Sequence, residues 1–418
     1  MELKRIVITG VGAITPIGNN VTDFWEALIA GKSGAAPITN FDASKFKTKF
    51  ACELKDFNPQ DYMDRKEARR ADPFVQYALV ASDEAVKDSG IDKLSEEEKE
   101  NIGVLWTSGI GGLGSLEDEI TRFATGNGVP RFSPLLVPKM IVDAAAGNVS
   151  IRHGFKGMTG AVVTACASST HSMYMAFDQI RLGRADIIVV GGSEASVTHV
   201  GVGAFNALKA LSTRNDDPTK ASRPYDKNRD GFVLGEGAGA LVLEEYEHAK
   251  ARGAKIYAEV VGSALTSDSY HITAPDPEGK GAARAMQLAL DCAGLKADDI
   301  DYINTHSTST SLGDIMEVRA IQKVFGEAAY KLNISSTKSM TGHLLGAAGA
   351  IEAIACIKAL QNDIVPPTIN HEELDPEIDP RLNITPNKAQ KREVRATLSN
   401  SFGFGGHNST IIFKKFEE

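Results

Sequence analysis

The chain has 418 residues, with 45 basic and 54 acidic side chains and a net charge of −9. At about 150 residues per domain that length suggests two or three domains; 42% hydrophobic and 24% charged residues describe a folded chain and exclude a disordered one. The acidic balance argues against general binding to nucleic acid or an anionic membrane, and four cysteines without a CxxC pair argue against a zinc ribbon or disulfide framework and for a reducing, cytoplasmic setting.

Lys4 and Arg5 precede an apolar stretch that Thr9, Gly10, Gly12, Thr15 and Pro16 interrupt, so the start reads as a first strand, Arg5–Thr9, and not as a leader. Short β-branched runs predict further strands at Ile102–Trp106, Gly160–Thr164, Asp186–Gly191, Gly239–Glu244, Ile300–Asn304, Leu332–Ser335, Arg395–Ser399 and Thr410–Lys414. Helices are predicted at Val21–Ala30, Pro73–Asp88, Ser168–Leu182, Glu278–Ala293, Asp314–Phe325 and Leu344–Leu360. Asp72 is a good N-cap and Pro73 suits the first helical position. The run from Leu344 to Leu360 carries Glu352 and Lys358 and is too short to span a bilayer. Apolar strands alternating with helices predict an α/β fold with buried sheets.

Residues 161–191 and 332–367 share a plan: apolar strand, turn, small-residue helix, polar turn, apolar strand. This suggests a duplication, with halves near residues 1–252 and 253–418; two ordinary strand–helix units would read the same way. The loop-like stretches Thr213–Gly231 and Pro366–Arg392 are not flexible linkers, which favours interlocked halves.

Cys166 lies between a strand pattern and a helix pattern, at an elbow where the helix N-terminus is expected to lower a thiol pKa. A small buried core cysteine fits the same context. His306 follows the strand-like DYINT, and His343 opens a small-residue helix five residues after Lys338; each also fits a structural histidine. Ser401–Asn408 holds three glycines in four positions, which suits either close approach to a ligand or a tight hairpin. Gly109–Gly114 matches GxGxxG but lacks the acidic residue expected about 20 positions later, so nicotinamide binding ranks second among enzyme classes. Arg65, Lys66, Arg69 and Arg70 form a basic cluster that reads as a solvated face or as a dock for an acidic partner.

Taken together, TACASS around Cys166, NTHSTST around His306, STKSMTGHLLGAAGAIEA around Lys338 and His343, SFGFGGHN, RPYDKNRDGFVLGEGAGALVLE and RIVITGVGAITPIGN resemble the β-ketoacyl-acyl-carrier-protein synthases, most closely the elongating type II enzymes. The match runs from Arg5 to Phe413. The resemblance implies a thiolase-like fold, with duplicated βαβαβαββ halves in a five-layer α-β-α-β-α sandwich, and a homodimer. It implies decarboxylating condensation of malonyl-acyl carrier protein with an acyl chain on Cys166, assisted by His306 and His343, with the amides of Cys166 and Phe404 as oxyanion hole.

By the same resemblance Lys338 and Glu352 support the histidines, Thr273 and Thr308 contact the phosphopantetheine arm, and Ile110 and Phe205 line the acyl tunnel that Phe404 gates. Lys66, Arg69 and Arg70 would dock acyl carrier protein. No metal and no cofactor beyond the carrier's phosphopantetheine is implied. A Cys-His-His set separates this pattern from the Cys-His-Cys of degradative thiolases and the Cys-His-Asn of initiating synthases. A carrier-binding partner without catalysis would share the fold and basic face but not need Cys166. Ser169, Ser307 and Ser311 depart from the usual glycine, glycine and proline, which bears on carrier or chain-length preference.

Overall fold

The computed structural model describes residues 3–417. The strands of its main sheet are β1 (Ile6–Ile14), β2 (Gly103–Thr107), β3 (Thr159–Gly160), β4 (Ile187–Glu194), β5 (Gly237–Glu245), β6 (Ala258–Ser267), β7 (Tyr302–Asn304), β8 (Asn333–Ser335), β9 (Ala396–Gly403) and β10 (His407–Lys414). Their order is β8-β7-β9-β10-β6-β1-β5-β4-β2-β3. Counted within residues 6–245, the strands run first-fifth-fourth-second-third from the centre outward; those within 258–414 do the same. Polarity also repeats: in each group the first pairs antiparallel with the fifth, the fifth antiparallel with the fourth, and the remaining pairs are parallel. The groups join through three antiparallel pairs, Ile6–Val260, Val7–Glu259 and Ile8–Ala258.

Six helices complete the layers: α1 (Pro73–Ser89), α2 (Ala144–His153), α3 (Ser168–Arg181), α4 (Lys280–Ala293), α5 (Ser311–Phe325) and α6 (Ala348–Asn362). Helices α3 and α6 occupy the middle, where Met173, Phe177, Ile351 and Ile354 pack with Val190, Leu241, Val260 and Ile411 from the two sheet halves. Helices α1 and α2 cover one outer face, and α4 and α5 the other. The result is α-β-α-β-α. Small residues make the middle layer thin. A Cβ at Gly349 of α6 would lie 2.0 Å from Thr170 Oγ1 of α3, and Ser169 accepts the Ala350 N–H at 3.0 Å.

The differences from the sequence expectations have local causes. Strand β1 continues past Thr9 to Ile14, because its glycines serve helix approach and do not stop the strand. A Cβ at Gly10 or Gly12 would strike the Ala85 or Ala81 carbonyl of α1, at 2.3 and 2.1 Å. The expected strand Gly160–Thr164 pairs only at Thr159–Gly160; the chain then leaves the sheet edge to deliver Cys166. Strand β6 has no counterpart among the strands expected from sequence. A Cβ at its Gly262 would lie 2.3 Å from the Ala289 carbonyl of α4, the counterpart of Gly10 under α1. Helix α2 is likewise additional to the expected helices. Asp72 does cap α1, accepting the Phe74 N–H at 3.2 Å, with Pro73 in the first turn. The predicted start at Leu344 is a 3₁₀ turn, Leu345–Ala347, before α6.

Candidate active site

Cys166 sits in a 3₁₀ turn, Ala165–Ala167, that opens directly into α3. Ala165 has φ +50°, a left-handed conformation that a residue with a side chain adopts at a cost. Ser168 holds the turn: its hydroxyl donates to the Ala165 carbonyl at 2.6 Å and accepts the Thr164 N–H at 2.9 Å. Leu345, before α6, repeats the positive φ at +46°. The elbow therefore occurs twice, with Cys166 in one copy and Gly346 in the other.

The hairpin between β9 and β10 closes over this elbow. A Cβ on Gly403 would lie 2.5 Å from the Thr164 carbonyl and 3.1 Å from the Cys166 nitrogen. Gly403→Ala is therefore expected to displace the elbow and slow acylation of Cys166 by about 100-fold, since a shift of ~1 Å near reacting groups costs that much. The check is single-turnover acylation beside a thermal melt; wild-type acylation rates would contradict the contact.

The thiol is not activated in the direction expected from the helix terminus. Burial dominates and pushes Cys166 up to about 12; Lys338 and the amides of Phe404 and Cys166 pull the other way without overcoming it. The elbow holds a protonated thiol with anion-stabilising groups already around it.

His306 and His343 converge from different elements. Their rings lie 5.2 Å apart at 87°, with Phe402 beside His306 and Phe232 beside His343. Burial, then Lys338, depresses both well below the usual histidine value, and His343 adds to the effect on His306. Both rest neutral. Lys338 and Glu352 lie behind them in direct contact, each 1% exposed. Burial raises Glu352, and Lys338 counteracts it.

Cys166, His306, His343, Phe404, Ile110, Phe205, Thr273 and Thr308 line one cavity of about 510 Å³. Lys338 and Glu352 do not line it. Lys66, Arg69 and Arg70 lie outside it, exposed on a short helix, Arg65–Arg70. Among the described residues no group of three His, Cys, Asp or Glu is arranged for a metal ion, and no helix is long and apolar enough to cross a membrane.

Two buried glutamates join the site without any signal in the sequence. Glu317, on α5, accepts the amides of His306 (2.9 Å) and Ser307 (2.7 Å), the Ser307 hydroxyl (2.8 Å) and the Asn400 amide (3.1 Å). Burial raises it to about 7. Ser307, one of the departures, thus adds a donor that glycine lacks, and Ser311 begins α5. Glu194 accepts the amides of Gly109 (2.7 Å), Ile110 (3.2 Å) and Gly346 (3.0 Å). It links the GxGxxG stretch to the second elbow. Two amides a phosphate would need are already bonded to a carboxylate, which removes the physical basis of the nicotinamide reading. Glu194 stands just past the predicted strand and Glu317 eleven residues after His306; neither spacing is itself a signal.

The family models "Beta-ketoacyl synthase, N-terminal domain" and "Beta-ketoacyl synthase, C-terminal domain" match residues 3–249 and 257–372. The chain is 52% identical over 414 residues to 3-oxoacyl-[acyl-carrier-protein] synthase 2 of Staphylococcus aureus (strain COL), covering 99% of each chain. It is 50% identical over 417 residues to the 3-oxoacyl-[acyl-carrier-protein] synthase 2 of Synechocystis sp. (strain ATCC 27184 / PCC 6803 / Kazusa), covering 100% of this chain and 99% of that one. A solved complex of a type II PKS acyl-carrier protein with its ketosynthase, AntDE:AntF, superimposes with a TM-score of 0.89 at 34% identity, covering 100% of both chains. Likeness across the full length, together with a duplicated sheet whose shared cavity gathers one cysteine and two neutral histidines, makes this chain a member of the β-ketoacyl synthase family.

Proposed function

We propose that this enzyme, an elongating 3-oxoacyl-acyl-carrier-protein synthase, joins an acyl group held on Cys166 to a two-carbon unit from malonyl-acyl carrier protein. Cys166 sulfur attacks the acyl thioester and the carrier thiol leaves. The amides of Cys166 and Phe404 receive the oxyanion. Either neutral histidine is able to take the thiol proton, and Lys338 favours the resulting anion. Malonyl-carrier then enters past Thr273 and Thr308. His306 and His343 donate to its thioester oxygen as the carboxylate leaves as carbon dioxide. The enolate carbon attacks the acyl-cysteine carbonyl, the sulfur departs, and a 3-oxoacyl carrier two carbons longer is released.

The observation that carries this reading is the meeting of Cys166 with two neutral imidazoles in one largely apolar cavity, in a chain half identical to named synthases. Ile110 and Phe205 would contact the acyl chain, and Phe404, 37% exposed, would gate its entry. Lys66, Arg69 and Arg70 would receive the acidic carrier. We further propose halves at 1–252 and 253–418, a homodimer, a cytoplasmic setting, and no cofactor or metal beyond the carrier's phosphopantetheine. Mass spectrometry after incubation with acyl-carrier substrate tests the central step. An adduct on Cys166 is expected; its absence would leave a carrier-binding role without catalysis.

The neutral state of the histidines has a consequence for pH. Protonation removes a ring acceptor and adds charge, but it requires pH well below 6.5. Acylation of Cys166, in which a neutral histidine accepts the thiol proton, is therefore expected to stay level as pH falls from 8 through 6.5 and to drop only well below it. His306→Ala and His343→Ala should each suppress carbon dioxide release by about 100-fold or more, within the range for positioned acid–base groups. A half-maximal loss of acylation at pH 6.5, or full carbon dioxide release in both variants, would contradict this assignment.

A further inference from the structure

A second cavity, of about 290 Å³, shares no lining residue with the catalytic one. Four carboxyl side chains line it: Asp72, Glu117, Asp118 and Glu236. His199 is the one basic lining residue, and it already pairs with Glu117 at 2.5 Å. Asp72 and Glu236 are 1% and 4% exposed and form no ion pair among the described residues. Asp72 accepts N–H bonds from Phe74 and Ser115, at 3.2 and 3.1 Å, and Glu236 accepts one from Leu54 at 3.1 Å. Buried carboxylates without a counter-charge are costly.

A separate observation points to an occupant. Tyr77, on α1, is 6% exposed and lines the cavity, and its hydroxyl has no hydrogen-bond partner among the described residues. Its ring is fixed edge-on to Phe57, with centroids 5.2 Å apart at 82°. The phenol oxygen has lone pairs free to accept N–H bonds, and the carboxylates beside it, once ionised, carry the charge that an N–H-bearing cation would balance. Phe41, Pro73 and Val197 supply apolar wall for carbon atoms. Among the described residues no group of three His, Cys, Asp or Glu is placed to hold a metal ion here. Acid groups stand both at the exposed rim, Asp118, and in the buried interior, Glu236, which favours charge at both ends of a ligand.

We propose that this cavity binds an alkyl diammonium ion, with Glu236, Asp72 and Asp118 as its carboxylate partners and the Tyr77 oxygen accepting an ammonium N–H. The stretch Gly109–Gly114 touches both cavities: Ile110 lines the catalytic one and Gly114 this one. Burial raises Glu236 to about 7, Glu53 opposes its ionisation further, and Lys55 favours it. Tyr77 and Asp72 face it from α1 and the cap of that helix. Burial also raises Asp72. A cation binds the ionised carboxylates, so affinity rises as pH climbs through 7.

The test is calorimetric titration of the full chain with 1,4-diaminobutane, with 1,4-butanediol as the uncharged control of the same length. Saturable one-site binding of the diamine is expected at pH 8, about tenfold weaker at pH 6, and no binding of the diol. Glu236→Gln should weaken binding at least tenfold and Tyr77→Phe severalfold. If Glu236→Gln does not fold, Asp118→Asn, at the exposed rim, carries the same expectation. Cys166→Ala should bind like the parent, so failure of the catalytic reading leaves this one standing. No saturable heat, equal binding of the diol, or unchanged affinity in the carboxylate variants would overturn the proposal.

Discussion

Replacing Cys166 by alanine is expected to abolish condensation while leaving measurable malonyl decarboxylation. The two steps draw on different elements. The sulfur stands on the turn before α3, whereas His306 follows β7 and His343 precedes α6. Removing the sulfur takes away the acyl carrier but leaves both imidazoles neutral, with Lys338 behind them. Product formation should fall to background, a loss of at least about 10⁴-fold for an essential covalent nucleophile. Carbon dioxide release from malonyl-carrier should persist. The measurement is product by mass spectrometry beside carbon dioxide by a coupled assay, on a variant with a parental melt. Decarboxylation lost together with condensation would mean that the histidines do not act separately from the thiol.

The second large effect concerns Lys338. It contacts Glu352 in the protein interior, and both are 1% exposed. Lys338→Ala removes the cation and leaves a buried carboxylate without a partner, which costs about 3–5 kcal/mol. Glu352 then relieves the charge by taking up a proton, since burial already raises it and Lys338 is what lowers it. The sign follows: the variant should lose more stability at pH 8 than at pH 5. Adding Glu352→Gln should restore a substantial part, because no uncompensated charge remains. Denaturant melts of the single and double variants at both pH values provide the check. Equal stability of the single variant at pH 5 and pH 8, with no recovery in the double, would remove the coupling. Lys338 also acts on Cys166, so acylation should slow in the same variant.

Much of the fold is legible in the sequence because burial leaves a periodic trace. Runs such as IIVV in β4 and the small-residue pattern of α6 can be buried on every side only in the interior of a layered α/β chain. Two of the strands that pattern misses or shortens, β1 and β6, contain glycine where a helix lies across them. Gly10, Gly12 and Gly262 look like interruptions in one dimension and are contact points in three. Strand β6 is the clearest case, since it joins the two halves through β1.

The site is legible through motifs. Cys166, His306, His343, Ile110, Phe205, Thr273, Thr308 and Phe404 all follow from the resemblance, and all of them line one cavity. Glu317 and Glu194 do not, because a buried carboxylate bonded to backbone amides is chosen by the shape of distant loops and leaves no spacing rule. The protonation of Cys166 departs from expectation for a related reason. A helix N-terminus is visible in sequence, but the desolvation that outweighs it depends on how β9 and β10 close over the elbow.

The set of motifs by itself determined the family and its reaction, because reaction type depends on which functional groups are present and in what order. The resemblance already implied duplicated halves; only the tertiary structure decided that their strands join edge to edge, through β1 and β6, in one continuous sheet. It alone decided that the histidines rest neutral, and that one glycine-rich stretch is wired to Glu194 and not to a phosphate. These properties arise from burial and from contacts between residues far apart in the chain, which local sequence does not encode.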